Sequence, residues 1–417
     1  MSEAMTALDL TRADARSVPL DAIDVSDPAL FETNTHWGYF DRLRREDPVH
    51  FAESPLFGPY WSITKFNDIM HVDMSHNVFS SEHGITLIDR PLDFVTPNFI
   101  SMDPPKHDVQ RKAVVGVVAP ANLAKLESLI RRRAGDILDV LPIGERFNWV
   151  DRVSIELTTQ MLATLFDFPF AERRKLTYWS DMATSSETAG GPTPEATRRS
   201  ALLECLEVMT GLWNERVGCD PREATDLITM MANNPETQHM DPMEYLGNLI
   251  LLIVGGNDTT RNSISGGVLF LNENPGEFQK LKANPALVTS MVPEIIRYQT
   301  PLAYMRRTAK EDAMVGGKTI KAGDKVAMWY VSGNRDEDVI ERPNDFIIDR
   351  KNARHHLSFG FGIHRCMGNR LAEMQLRVIW EEILKRFSHV EVVGEPVRVR
   401  SSFVKGYDQL PVVLHAH

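Results

Sequence analysis

The chain has 417 residues, 43% of them hydrophobic, and 57 acidic against 46 basic residues give a formal net charge of −11. The hydrophobic share is enough for a large core, and the acidic balance argues against a nucleic-acid binder. Three cysteines, Cys205, Cys219 and Cys366, are too few for a disulfide framework and point to a reducing compartment.

No Pro/Gly/Ser linker, low-complexity tract or internal repeat divides the chain, so residues 1–417 read as a single catalytic unit. No basic segment followed by an apolar run opens it. Its most apolar stretch, Leu249 to Val254, is far below the ~20 residues of a membrane span. A soluble, cytoplasmic protein without a membrane anchor is the expectation.

In chain order, residues 1–35 read as irregular, with Pro19, Pro28 and little periodicity. His50-Phe51 and Tyr60 to Thr64 read as short strands around the Gly58-Pro59 turn. From Pro105 to about Trp380 most segments carry helical periodicity, among them Leu123 to Leu138, Arg152 to Phe166 and Arg198 to Val217. Cys205 falls in an apolar helical pattern and reads as packing; Cys219 reads as a loop thiol. Strands return at Lys318 to Ile320 and Lys325 to Val331, split by Ala322-Gly323-Asp324, and again at Val390 to Val393 and Leu410 to Leu414. The fold class is mainly α with small β-sheets.

One helix stands out. Asp241-Pro242-Met243-Glu244 supplies an N-cap acid, proline at N1 and an acid at N3, and the pattern runs to about Asn274 before Pro275. Roughly 30 residues at 1.5 Å each make ~45 Å, enough to cross a domain. Its middle, Gly255-Gly256-Asn257-Asp258-Thr259-Thr260, breaks local rules. Two interior glycines cost roughly 1–2 kcal/mol relative to alanine, and Asp258 beside apolar turns needs a partner. The Thr259 hydroxyl can donate to the Gly255 carbonyl at i−4, weakening the ladder. A kink with solvated polar residues and a local opening of the helix are both compatible with that pattern.

The decisive segment comes late. Phe359-Gly360-Phe361-Gly362-Ile363-His364-Arg365-Cys366-Met367-Gly368 sets a cysteine after a glycine-rich loop and before a helical pattern, Gly368 to Phe387. Unpaired N–H groups and the helix dipole stabilise a thiolate there. The spacing Phe-x-x-Gly-x-x-x-Cys-x-Gly resembles the haem-binding loop of cytochrome P450 monooxygenases. Gly255 to Thr260 likewise resembles that family's oxygen-activation motif.

The resemblance implies a cytochrome P450 fold, with the long central helix over the haem and the cysteine loop beneath it. Cys366 would be the axial thiolate of a haem b. Phe359 would shield its sulfur, and Gly360 and Gly368 would let the backbone pass close. The central helix would open to admit O2, with Asp258 gating protons to solvent and Thr259 steadying the activated oxygen. Glu294 and Arg297, by themselves an ordinary i,i+3 pair, match the family's Glu-x-x-Arg, completed by Arg350. His107 and Arg111, which share a helix face at i,i+4, would bind haem propionates together with Arg307 and His364. Electrons would come from NAD(P)H through a ferredoxin reductase and a ferredoxin, because the chain carries no flavin or iron–sulfur segment. Arg365, Lys112 and Arg370 would form a basic docking patch.

The family's substrate-contact segments correspond here to Leu92, Phe94, Phe99, Leu251, Val254, Gly255, Leu302, Ala303, Met305, Phe403 and Val404. They offer no charge, which suits an apolar substrate held by burial at ~0.8 kcal/mol per methylene. Gly255 to Gly267 and Met102 to Ala113 resemble the soluble bacterial alkane terminal hydroxylases. Terminal hydroxylation of alkanes or fatty chains is the expected reaction, with terpene or steroid hydroxylases the nearest alternative. A peroxide-driven enzyme would usually lack the Asp258-Thr259 pair. A haem-based sensor would usually show an attached output domain, and an electron carrier would need no apolar substrate pocket or Asp258-Thr259 pair.

Overall fold

Asp241 and Pro242 start the central helix as their chemistry dictates. The Asp241 carboxylate accepts a hydrogen bond from Met243 N at 2.8 Å, and Pro242, lacking an N–H, takes the first helical position. In this computed structural model, which describes residues 10–89, 91–220 and 224–417, the helix spans Pro242–Glu273, 32 residues. Most of its second half is buried on all sides, so it forms the axis of the main core. Helices Arg174–Thr184, Glu156–Leu165, Val288–Gln299 and Asn369–Arg386 pack around it. About 51% of the protein is helical. No single helix among the described residues is long and apolar enough to cross a membrane.

The sheets are small and lie to the sides of this axis. A five-stranded sheet runs in the order Val49–Ser54, Gly58–Ile63, Lys325–Met328, Met305–Ala309, Phe79–Ser80. Its Gly58–Ile63 and Lys325–Met328 strands pair in parallel and the rest antiparallel. A three-stranded sheet joins Phe147–Asn148, Pro411–Ala416 and Phe387–Val392. Cys205 is buried in the main core and Cys219 is exposed.

Three expectations need correction. The N-terminal 35 residues are not irregular throughout: Pro28–Glu32 is helical, with Asp27 capping Ala29 N at 2.9 Å. Asp-Pro is the same start signal as at residue 241, but five residues are too few to show periodicity. The strand read over Lys325 to Val331 stops at Met328, and Tyr330–Gly333 turns into a short helix. There Tyr330 donates its hydroxyl to Asp73 at 3.0 Å and Ser332 donates to Thr64 O at 2.9 Å, contacts an extended strand would not make. The helix over Arg152 to Phe166 begins with π-type turns at Val150–Ile155 before the α-helix Glu156–Leu165.

Candidate active site

The cysteine loop is built on left-handed glycines. Gly360 and Gly362 have φ of +66° and +64°. A Cβ on Gly362 would sit 2.6 Å from Asp73 O, so the loop can lie this close only with hydrogen there. Cys366 N donates to Phe359 O at 2.8 Å, closing the loop just before helix Asn369–Arg386, whose N-cap is Gly368. The Cys366 side chain keeps exposed surface, yet packed protein surrounds it. That desolvation pushes its thiol up, while the Gly368 N–H, the Arg111 and Arg365 guanidinium groups and the Asn369 N–H pull it back toward the thiolate.

A buried acid that the sequence reading missed pins this loop. Asp73, on helix Phe66–Met74, accepts from Phe361 N at 2.8 Å, Arg307 Nη2 at 2.7 Å and Tyr330 Oη at 3.0 Å. Burial raises its carboxyl, and the Arg307 charge opposes that rise. Its one sequence signal is position: an acid on the apolar face of a short amphipathic helix.

His107, Arg111, Arg307 and His364 gather at one edge of the loop. The rings of His107 and His364 meet edge to face at 4.5 Å, and Arg111 Nη2 donates to Arg365 O. His364 is driven down to about 2 by burial and by the charges of Arg307, His107, Arg111 and His76. His364 Nδ1 and His107 Nε2 are buried with no hydrogen-bond partner among the described residues. Orphaned polar nitrogens cost free energy, so they mark a place for a polar partner. Arg307 is turned onto Asp73 and the Arg306 carbonyl.

The central helix differs from expectation at its middle. It is continuous through Gly255 to Thr260, without a break. The room it leaves comes from missing side chains, since a Cβ on Gly255 would meet nothing within 4 Å. Thr259 Oγ1 donates to Gly255 O at 2.9 Å and is half-buried. Asp258 points the other way and is fully buried. It accepts from Ser180 Oγ at 3.0 Å and Asn257 Nδ2 at 3.1 Å and pairs with Arg261 at 3.1 Å. Arg261 reaches half-exposed Asp181 at 2.8 Å, so the tie from Asp258 to solvent runs through Arg261 rather than directly. Burial raises the Asp258 carboxyl, with Arg261 opposing and Asp181 adding to the rise.

Glu294, Arg297 and Arg350 come together in the interior. Glu294 takes a bidentate pair from Arg297 at 2.8 Å for each bond, one from Arg350 Nε at 3.0 Å and one from Ile347 N at 2.9 Å. The remaining Arg297 donors go to the carbonyls of Asn334, Pro343 and Asp345. Full satisfaction is what a buried charged network requires.

Among the apolar candidates, Phe94, Phe99 and Leu251 join the main core cluster. Ala303 N bonds Phe403 O at 2.9 Å and Leu302 bridges Val404, which brings those four together. Val254 and Met305 are half-buried and Gly255 is exposed. Leu92 is corrected: it is 97% exposed and lines nothing. Arg199 grips neighbouring Asp93 at 2.6 Å and stacks over Phe94 at 5.2 Å, leaving Leu92 in solvent.

A family model described as cytochrome P450 matches residues 201–404. Over almost the whole length the chain is 33% identical to linalool 8-monooxygenase of Pseudomonas putida, covering 94% of this chain and 98% of that one. The chain belongs to the cytochrome P450 family. This P450 also superposes on the solved structure of CYP153D17 from Sphingomonas sp. PAMC 26605 with a TM-score of 0.90 at 48% identity, covering 95% and 100% of the two chains. It is 30% identical to a methyl-branched lipid omega-hydroxylase of Mycobacterium bovis, with 90% of each chain covered. It is a monooxygenase, and its family works with thiolate-ligated haem, O2 and electrons from redox partners. The residues present fit that group: an exposed cysteine at a helix start, room beside the central helix at Gly255, and two orphaned histidine nitrogens beside Arg111.

Proposed function

We propose that this P450 hydroxylates the terminal carbon of alkanes or fatty chains, with electrons from NAD(P)H delivered by a ferredoxin reductase and a ferredoxin. What supports the reading is the Cys366 motif together with apolar side chains at the positions that resemble the family's substrate-contact segments: Phe94, Leu251, Val254, Leu302, Ala303, Met305, Phe403 and Val404. The sequence likeness of Met102–Ala113 and Gly255–Gly267 to alkane terminal hydroxylases supports the same class.

In this reading Cys366 binds the haem iron and Phe359, Gly360 and Gly368 surround its sulfur, while His107, Arg111, His364 and Arg307 hold the propionates through charge-assisted bonds. The haem, when bound, supplies the oxygen-activating metal. Apolar walls exclude water and orient the chain end-on. Thr259 offers its hydroxyl to the oxygen being activated, and Asp258, held in place by its ion pair to Arg261, gates the protons. Glu294, Arg297 and Arg350 hold the loop from behind.

The test is product analysis after turnover with alkanes, fatty acids, terpenes and steroids. Terminal alcohols of linear chains as main products are expected; exclusive turnover of a cyclic substrate overturns the reading. The linalool hydroxylase relative makes a terpene the second candidate. Loss in Cys366→Ala of the reduced carbon-monoxide band, near 450 nm by the family likeness, checks the ligand separately.

A further inference from the structure

A second cleft lies away from the cysteine loop, between the start of helix His36–Glu46, the end of the central helix and the late strands Val397–Arg398 and Tyr407–Gln409. Its volume is about 250 Å³. Arg335, Arg398 and Lys405 face it, with Glu273 at its rim. In a chain with an excess of acids, none of these three cations forms a salt bridge among the described residues. Glu273 acts on Arg398 and Lys405 only through space.

Burying cations without carboxylates is unfavourable. Arg335 is 4% exposed and is held by the carbonyls of Pro343 and Tyr298, its guanidinium over Tyr298 at 3.7 Å and Trp37 at 4.7 Å. Lys405 donates to Gln299 O at 2.8 Å and lies 5.3 Å from the Trp37 ring. Among the described residues the Arg398 side chain donates no hydrogen bond. Burial and the neighbouring charges of Arg335 and Arg398 depress Lys405 well below the ordinary lysine value, which an anion would reverse. Nothing in the oxygen chemistry uses these groups.

We infer that this cleft binds a small oxyanion, a carboxylate or a phosphate, held by Arg398 and Lys405 against the flat aromatic wall that Trp37 and Tyr298 make with Arg335. The occupant would join the N-terminal segment, the central helix and the late hairpin, and so stabilise the fold by linkage.

The test is calorimetric titration of the holoenzyme with sodium benzoate in one series and inorganic phosphate in another, with ionic strength fixed by sodium chloride. Saturable binding of at least one is expected, and the tighter of the two identifies the chemistry. Arg398→Gln and Lys405→Gln should each weaken it about tenfold, as for loss of one charge-assisted bond. Glu273→Gln should tighten it about threefold by removing a repulsive charge, a gain that a misfolded variant cannot imitate. The inference is overturned if neither probe saturates, if Glu273→Gln weakens binding, or if the signal survives Arg398→Gln and Lys405→Gln. A benzoate signal of that last kind belongs to the substrate pocket.

Discussion

Thr259 and Asp258 are adjacent in sequence but face different surroundings. Thr259 lies on the open side of the helix, above the gap at Gly255, and Asp258 lies in a closed polar cluster with Ser180 and Arg261. Their variants should therefore fail differently. Thr259→Ala should bind substrate and accept electrons but divert much of the reducing power into hydrogen peroxide. Asp258→Asn should slow turnover by about 10²-fold, the low end for a lost general acid. The ratio of product to NADH consumed, with peroxide assayed in parallel, separates the two; unchanged coupling in Thr259→Ala would leave the threonine a packing residue. His356 offers a pH signature of a different kind. Burial, reinforced by Arg297 and Arg365, holds it down at about 3. It stays neutral in the native state while the unfolded chain takes up its proton below about 6.5, so its contribution is intact above that pH and is lost as pH falls toward 3. Between pH 7 and 5 the apoprotein should lose about 2 kcal/mol more than His356→Gln does, measured by urea unfolding.

At the scale of elements, the cysteine loop is held by helix Phe66–Met74 through Asp73. Asp73→Ala strands Arg307 and Tyr330 and frees Phe361 N. Breaking one partner of a buried pair costs about 3–5 kcal/mol, and the double variant Asp73→Ala with Arg307→Met should recover part of that loss. Urea unfolding of the apoprotein measures both; additive losses would mean that the pair is not coupled. The same comparison shows what sequence conveys. Cys366, Thr259, Glu294 and His107 could be picked out in the sequence because each lies in a short motif that resembles the family's. Asp73 and the Arg261–Asp181 tie were not, because their partners lie 234 residues and 80 residues away and only folding brings them near. Leu92 was misread for the converse reason. Its exposure depends on Arg199 of another helix, which holds the neighbouring loop residues.

At the scale of the whole molecule, the formal charge of −11 hides an uneven distribution. Arg365 and Arg370 flank Cys366, Lys112 lies on the helix whose Arg111 touches the cysteine loop, and all three are exposed. None forms a salt bridge among the described residues, so their charge remains uncompensated beside Cys366. An acidic electron donor would be repelled by most of this surface and drawn to that one face, which shortens the path to Cys366. Steering of this kind acts mainly on the association rate and is screened once the Debye length falls from ~10 Å at 0.1 M to ~3 Å at 1 M salt. Stopped-flow reduction by a ferredoxin should slow about tenfold over that range. Charge reversal of Arg365 and Arg370 together should slow it at low salt and flatten the salt dependence, while the carbon-monoxide band stays as the check on an intact cysteine loop. Reduction that ignores both salt and charge reversal would mean that these cations are ordinary solvated side chains and that the donor docks elsewhere.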